Sequence, residues 1–253
     1  MAQYLANPSG ECCMQAVKHE GTPVGEKDEI AGIKCYVSYP PSKSTEKVIL
    51  FCCDVYGPWY RNNQLIMDFF AAGGYTVVAP DYFEGEELEK FRETPGFDFR
   101  GWVTPHRAKA ESILETFVPA MKEKFRDSVE GKAYGVIGYC FGGKDVVDSL
   151  KKGWATAGAA CHPAFITEEA LDGLDKGAIF FSCSEIDHTF AAEGRHKAEE
   201  ILAKNKIPYH FQLFSGVAHG FAIRGDMSDP NQRWAKETSA WSILGWWDRW
   251  LKV

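Results

Sequence analysis

The sequence predicts an α/β protein built on a doubly wound, mostly parallel β-sheet flanked by helices. Short β-rich runs recur along the chain, and most of them are continuously apolar, as expected for strands buried on both faces of a parallel sheet. Helical patterns separate these runs, and this alternation is typical of parallel sheets with crossover helices. No repeat, low-complexity tract or linker divides the 253 residues. We therefore expect a single domain over residues 1–253.

The predicted strands begin after a polar, turn-rich N-terminal extension of residues 1–28. The first is expected as one strand in EIAGIKCYVSYPPSK, which ends at a Pro-Pro pair. The others lie in KVILFCCDV, TVVAPDYF, AYGVIGYC, TAGAACHP, AIFFSCSEID and YHFQLFSG.

Helices are predicted between and after these strands, in NNQLIMDFFAAGG, GKDVVDSL, AAEGRHKAEEILAKNK and the Trp-rich C-terminal stretch. A longer one, TPHRAKAESILETFVPAMKEKF, is expected to begin with Thr104 as its N-cap and Pro105 in its first turn. Pro119 should kink or shorten it. The charged, Gly-containing stretch 84–101 is a candidate lid or loop beside the sheet.

Charge and composition exclude several function classes. The net charge of −7 and the isoelectric point near 5.6 argue against a nucleic-acid or anionic-membrane surface. No apolar run approaches the roughly 20 residues needed to span a bilayer. The N-terminus lacks a basic start followed by an apolar core, so the protein is expected to be cytoplasmic.

The eight cysteines do not follow the spacing of a disulfide framework or of a metal site. Several lie within strand-like runs, and adjacent pairs such as Cys12-Cys13 differ from the CxxC spacing of redox motifs and zinc ribbons. We expect reduced thiols, no metal and no organic cofactor.

Cys140 lies in GYCFGG, directly after a predicted strand and before a predicted helix. This is the nucleophile-elbow pattern with Cys in place of Ser, and Gly138 and Gly142 supply the small neighbours that its sharp turn needs. A cysteine at a helix N-terminus is favoured as a thiolate, which lowers its pKa. The competing interpretation is a buried cysteine beside a packing turn.

A nucleophile at an elbow is followed, in chain order, by an acid and a histidine. The best acid is Asp187, at the end of a clean strand, with Glu185 as the alternative by position. The best base is His219, flanked by small residues after the last strand. Its rivals are His188, which adjoins the acid itself, and His162, which is better explained as a structural or pocket histidine.

The loop after the first buried strand, FCCDVYGP, is expected to complete the site. The backbone N–H groups of Phe141 and Val55 are candidates for an oxyanion hole. Asp54 is either a turn former or an acid that controls protonation of the thiol. Tyr56 and Tyr82, which follow two of the buried strands, are candidates for substrate binding.

These motifs together resemble the dienelactone hydrolase (carboxymethylenebutenolidase) family of α/β-hydrolases. The resemblance rests on GYCFGG, EIDHTF and SGVAHGFAIRGD, with VILFCCDVYG and GYTVVAPDYF upstream, and covers most of the chain. The N-terminal CCMQAVKHEGTPVGE is similar to a eukaryotic dienelactone-hydrolase-like branch. The resemblance implies the α/β-hydrolase fold and a catalytic triad of Cys140, Asp187 and His219.

The resemblance also bears on substrate binding. It implies an acidic partner for the resting thiol, and Asp54 stands where the founding enzymes carry Glu, which is one methylene longer. Those enzymes hold the dienelactone carboxylate with two arginines. Arg224 matches one of them with a one-residue offset, whereas Gly85 lies near the position of the other.

The sequence therefore predicts a cysteine hydrolase of a small-molecule ester, lactone or thioester, acting as a monomer or homodimer. The main alternative is a non-hydrolytic protein of the same fold in which Cys140 senses oxidants or electrophiles, with Cys52 and Cys53 nearby. A third interpretation, a binding protein that uses the Trp-rich C-terminal helix, is disfavoured because aromatic stripes at helical spacing usually pack into the core.

Overall fold

The centre of the protein is an eight-stranded sheet, seen in a computed structural model that describes residues 3–125 and 133–252. The strand order is β1-β2-β4-β3-β5-β6-β7-β8, and the neighbours from β4 to β8 are parallel. The predicted mostly parallel sheet is thus confirmed. The strands are β1 Glu26–Ile30, β2 Ile33–Ser38, β3 Lys47–Cys52, β4 Thr76–Pro80, β5 Ala133–Tyr139, β6 Ala157–Cys161, β7 Ala178–Ile186 and β8 Tyr209–Ala218.

The first predicted strand is in fact a hairpin, so the expectation of one strand there is wrong. Ala31 and Gly32 both have positive φ angles, of 52° and 78°, and reverse the chain between β1 and β2. Two successive residues with positive φ are what a two-residue hairpin requires. The antiparallel pairs β1–β2 and β2–β4 form one edge of the sheet.

Helices flank the sheet as predicted, but the longest begins earlier than expected. Asp98, not Thr104, is its N-cap, and the Asp98 carboxylate accepts a hydrogen bond of 3.0 Å from the Gly101 N–H. Both prolines lie inside the helix, and Pro119 does not shorten it. The helices are α1 Arg61–Ala72, α2 Phe99–Lys124, α3 Gly143–Lys151, α4 Glu168–Asp172, α5 Ala192–Lys204, α6 Phe221–Arg224 and α7 Pro230–Trp250.

The C-terminal helix α7 buries only part of its tryptophan stripe. Trp247 is fully buried and packs edge-on against Phe70, with ring centroids 4.9 Å apart. Trp234 and Trp241 are exposed, so the prediction that the aromatic stripe packs into the core is wrong for these two residues. Among the described residues, no helix combines the length and apolarity that crossing a membrane requires.

The candidate lid, residues 84–101, packs beside the end of β3. The Leu88 N–H donates to the Val55 carbonyl at 3.0 Å, and the Trp102 indole donates to the Glu86 carbonyl at 3.1 Å. The last residues of the stretch, from Phe99, already belong to α2. Movement of this segment as a lid stays a prediction, as does the single-domain organisation.

Candidate active site

Cys140 occupies a sharp turn between β5 and α3, as the elbow pattern predicts. Its φ angle is +49°, a strained conformation for a residue with a side chain. A Cβ at Gly138 would lie 2.0 Å from the Gly142 carbonyl oxygen, and one at Gly142 would lie 2.2 Å from the Cys52 carbonyl oxygen. Only glycine fits at either position, so the two glycines allow the turn that presents Cys140.

A buried ion pair under the elbow was missed by sequence reasoning. Arg107 of α2 pairs with Asp145 in the first turn of α3, and its Nη1 also donates to the Phe141 carbonyl at 2.9 Å. The guanidinium lies 4.4 Å from the centroid of the Phe141 ring. Arg107 therefore holds the turn by contacting both the backbone carbonyl and the side chain of Phe141. The only signal for this contact in the sequence is that an arginine occupies one of the positions of α2 that face the core.

His219 and Asp187 follow neighbouring strands and meet at their carboxyl ends. The His219 Nδ1 atom lies 3.1 Å from each carboxylate oxygen of Asp187. The Ser184 and Thr189 hydroxyls donate to the same carboxylate at 2.9 and 2.6 Å. With Asp187 ionised, Nδ1 carries the imidazole proton and Nε2 carries the lone pair.

The charge state of this pair follows from its surroundings. Burial acts to raise the pKa of Asp187, but the contacts with His219 and Thr189 lower it well below its ordinary value. Burial acts to lower the pKa of His219, whereas the Cys140 sulfur and the Asp187 carboxylate raise it above its ordinary value. The Asp187 carboxylate therefore makes the imidazole more basic, so that Nε2 can accept a proton.

The sulfur of Cys140 is fully buried and faces the N-terminal extension. It lies 3.3 Å from the Cys13 Sγ and 3.5 Å from the Ser9 Oγ. Cys13, Cys140 and His219 each place a ligand atom within 4.8 Å of the other two. Sequence reasoning missed Ser9 and Cys13, because nothing in a turn-rich extension shows where it folds back.

The resting thiol differs from the expectation of a lowered pKa. Burial raises the pKa of Cys140 well above its ordinary value, and the contact with Cys13 raises it further, although His219 acts in the opposite direction. Loss of solvation outweighs the helix N-terminus, since the thiol is sealed from water.

The rival site residues take other places. Glu185 accepts the Gly216 N–H at 2.7 Å on the exposed side of the strand end. The His188 ring centroid lies 6.1 Å from that of His219. His162 is fully buried, packs its ring 4.9 Å from His219, and has no hydrogen-bond partner for either ring nitrogen among the described residues.

Asp54 is held by a network rather than by the thiol. Its carboxylate pairs with Arg224 and accepts from the Tyr56 N–H at 3.1 Å and from Asn63 Nδ2 at 3.0 Å. Burial acts to lower the pKa of Arg224, but Asp54 raises it above its ordinary value. Control of the thiol by Asp54 stays a prediction.

The remaining predicted residues lie around the elbow. Val55 follows the end of β3, the strand that pairs with β5, and Phe141 follows Cys140 directly. Tyr56 donates to the Met14 carbonyl at 3.0 Å. Tyr82 is fully buried and donates to the Cys53 carbonyl, a position that favours packing. Contact of either tyrosine with substrate stays a prediction.

A cleft of about 380 Å³ opens onto His219. Gln15–Val17 form one wall, and His188 and Arg224 lie along the others. Arg224 Nη2 is buried and has no hydrogen-bond partner among the described residues. The cleft therefore leads from the surface to His219 and Arg224.

A cysteine elbow at the end of a central strand, followed by an acid and a histidine at later strand ends, is typical of an enzyme with the α/β-hydrolase fold. The family model of the dienelactone hydrolase family matches residues 33–249. The chain belongs to this family and is a hydrolase that acts on ester bonds of small molecules.

Relatives of similar length match almost the whole chain. Hydrolase pyvD of Aspergillus violaceofuscus is 38% identical over 245 residues, covering 97% of this chain and 98% of the relative. Dienlactone hydrolase 1 of Gibberella moniliformis is 35% identical over 253 residues, covering 98% and 96%. A putative dienelactone hydrolase from Klebsiella pneumoniae has the same fold, with a TM-score of 0.75 at 12% identity, covering 91% and 100% of the two chains.

Proposed function

We propose that the protein hydrolyses a small-molecule carboxylic ester, lactone or thioester through an acyl-cysteine intermediate. Cys140 is the nucleophile, His219 the general base and Asp187 the residue that orients the imidazole. The observation that carries the proposal is the convergence of a strained elbow cysteine with a histidine whose Nδ1 is 3.1 Å from Asp187. Nε2 is left to face the sulfur.

In the acylation step, Nε2 of His219 takes the Cys140 proton as the sulfur attacks the carbonyl carbon. The backbone N–H groups of Phe141 and Val55 stabilise the negative oxygen that forms. Loss of one such donor typically costs about 2.7–4 kcal/mol of transition-state stabilisation. The imidazolium then protonates the leaving group as the intermediate collapses to a thioester. The protonated atom is the oxygen of a leaving alcohol or the sulfur of a leaving thiol.

Deacylation uses the same groups with water as the nucleophile. His219 takes a proton from water, the hydroxide attacks the thioester carbonyl, and the carboxylic acid leaves as Cys140 recovers its proton. Because burial raises the pKa of the thiol, the resting enzyme holds a neutral thiol. The proton therefore moves from Cys140 to His219 only when substrate is bound. Asp54 contributes by fixing Arg224 beside the site.

The cleft favours a substrate that carries its own negative charge. Arg224 lines the cleft, and its buried Nη2 has no hydrogen-bond partner among the described residues, while Nη1 pairs with Asp54. A carboxylate on the substrate would satisfy this nitrogen with a charge-assisted hydrogen bond. A lactone bearing a carboxylate, as in the dienelactones, combines both requirements.

The test compares matched pairs of substrates with and without a carboxylate, presented as esters, lactones and thioesters. Wild-type protein should hydrolyse an activated phenyl ester, and Cys140→Ala should not, while Cys35→Ala, which removes a buried thiol of β2, should retain turnover. Arg224→Lys should raise KM for the anionic member of each pair more than for the neutral one. Turnover by Cys140→Ala would refute the nucleophile.

The contact between Cys13 and Cys140 favours a second candidate, a peroxide-sensing thiol. Hydrogen peroxide would oxidise Cys140 to a sulfenic acid and be reduced to water. The Cys13 thiol, 3.3 Å away, would then displace a second water and form a disulfide. Mapping of modified thiols after peroxide treatment separates the two candidates. Stoichiometric oxidation without turnover of any ester favours the sensor, and turnover favours the hydrolase.

A further inference from the structure

The contact between the Cys13 and Cys140 thiols brings together more than a nucleophile and its base. Cys13, Cys140 and His219 are all buried, and their ligand atoms lie within 4.8 Å of one another. We propose that these three residues form a zinc site whose occupation holds the enzyme inactive. The inhibitory part of this proposal rests on the proposed function, whereas the metal site itself does not.

The geometry suits a tetrahedral Zn²⁺ ion. Zinc binds thiolate sulfur at about 2.3 Å, so two sulfurs of a tetrahedral site lie about 3.8 Å apart. The Cys13 and Cys140 sulfurs are 3.3 Å apart and need to separate by only about half an ångström. Two thiolates and one imidazole leave a fourth position for water, or for the Ser9 hydroxyl 3.5 Å from the Cys140 sulfur.

His219 already has the environment of a zinc-bound histidine. Such a histidine donates its other ring N–H to a carboxylate, which fixes the tautomer and raises the basicity of the ligating nitrogen. Here Nδ1 faces Asp187, and Thr189 braces the same carboxylate. Nε2 is buried, and besides Asp187 the side chains that interact with the imidazole are those of Cys140 and Cys13. A metal ion bound here would join this nitrogen and the two sulfurs, whose ligand atoms already lie within 4.8 Å of one another.

Charge favours the ion as well. Binding displaces the protons of both thiols into solvent, and two thiolates then balance the two positive charges of zinc. A neutral cluster is far easier to bury than a thiolate alone, which the sealed pocket disfavours. Occupation takes up the attacking sulfur and the base at once, and it ties the N-terminal segment to the elbow through Cys13. The result is reversible inhibition that a chelator relieves.

The first experiment measures binding without any reference to activity. Tag-free, full-length protein, kept reduced with a phosphine, is titrated with Co²⁺ as a spectroscopic substitute and then with Zn²⁺ against a chromophoric chelator. We expect one equivalent to bind with thiolate-to-cobalt charge-transfer absorption. Cys13→Ala should weaken zinc binding about a hundredfold or more, and Asp187→Asn roughly ten- to a hundredfold. Cys35→Ala, the matched buried thiol, should bind like wild type.

The outcomes are distinguishable. Absence of charge-transfer absorption in the wild-type protein, or equal zinc affinity in Cys13→Ala, overturns the metal site. The wild-type spectrum needs no variant, so a Cys13→Ala protein that fails to fold leaves the test intact. Stoichiometric metal binding by a protein that, when freed of metal by a chelator, still turns over no ester, lactone or thioester would count against the proposed function and leave the metal site standing.

The second experiment measures inhibition. Each protein's turnover with zinc is divided by its own turnover with chelator. For wild type and Cys35→Ala, one equivalent of zinc should reduce this ratio at least tenfold, and for Cys13→Ala the ratio should stay near one. A chelator should restore wild-type turnover. Unchanged or faster turnover by zinc-loaded wild type would overturn the inhibitory role.

Discussion

The candidate site has two halves that are built differently. Cys140, Asp187 and His219 stand at the carboxyl ends of β5, β7 and β8, where the hydrogen bonds of a parallel sheet set their spacing. Ser9, Cys13 and Gln15–Val17 cover them from a segment with no strand in the sheet. The first half is held by the sheet itself, and the second by hydrogen bonds and by packing of buried residues such as Leu5 and Cys13 against the rest of the fold.

Specific polar contacts attach the end of the N-terminal half that lies beside the cleft. Asn62 of α1 donates to the Val17 carbonyl at 2.8 Å and accepts the His19 N–H at 2.9 Å. Arg224 donates from Nε to the Gln15 carbonyl at 3.2 Å. The difference teaches that chemistry and access come from different parts of the chain: the sheet positions the proposed reacting groups, whereas the N-terminal segment forms one wall of the cleft that leads to them.

The largest effect is expected from breaking the strand-end half at its acid. Asp187→Asn should lower kcat roughly 10⁴-fold, because an amide favours the wrong imidazole tautomer at His219. Glu185→Gln is the matched control. Glu185 is exposed, and among the described residues its carboxylate accepts a hydrogen bond from the Gly216 N–H. Steady-state kinetics on an activated ester checks both. Equal losses in the two variants would contradict the assignment of the acid.

The next largest effect is expected on stability, from the ion pair beneath the elbow. Arg107→Met leaves the buried Asp145 carboxylate without its partner and should cost about 3–5 kcal/mol in the free energy of unfolding. The double variant Arg107→Met/Asp145→Leu should recover most of that loss, because it leaves no buried charge. Denaturant unfolding measures all three. If the double variant is as unstable as the single one, the pair is not what holds the elbow.

Much of the strand-end half could be predicted from sequence because its signals are local. Apolar runs predicted the strands, and each candidate catalytic residue lies just past one of them. Prediction failed where local patterns compete or distant contacts decide. Asp98 replaced Thr104 as the α2 cap, since an acid earlier in the chain caps as well as Thr. The prediction of a lowered pKa for Cys140 was wrong, because the N-terminal segment buries the thiol and its position could not be read from the sequence.

The N-terminal half could not be predicted, because contacts between residues far apart in the sequence attach it to the rest of the fold. Cys13 reaches Cys140 across 127 positions of sequence, and no periodicity in a turn-rich extension records that contact. Arg107 is a similar case, because the partner of a buried charge is invisible until α2 and α3 are packed. Long-range polar contacts are a property of the assembled fold.

Substitution at the elbow glycines should sharpen the geometric part of the comparison. The Cβ of Gly142→Ala would collide with the Cys52 carbonyl oxygen at 2.2 Å, so the variant should lose about 1–3 kcal/mol of stability and most of its activity. Gly245→Ala is the control: that position lies in α7 with no heavy atom within 4 Å of a new Cβ, and alanine there should stabilise by up to about 1 kcal/mol. Thermal unfolding and turnover are measured together. A Gly142→Ala protein as stable and active as wild type would refute the tight turn.

The smallest effect tests the N-terminal half through pH. His19 donates from Nε2 to the Gly225 carbonyl at 2.8 Å, and its Nδ1 accepts from Lys236 at 3.0 Å. Burial, and then the Lys236 charge, lower the pKa of His19 from 6.5 to about 4. The unfolded chain therefore binds a proton before the folded one does, and stability is lost as pH falls from about 6.5 to about 4.

Relative to His19→Gln, which keeps the bond to Gly225 without titrating, wild type should lose on the order of 1 kcal/mol in the free energy of unfolding over this window after solvent screening. His196→Gln, on the exposed face of α5, should follow wild type, and parallel stability curves for wild type and His19→Gln would rule out a pH-sensitive attachment of this segment.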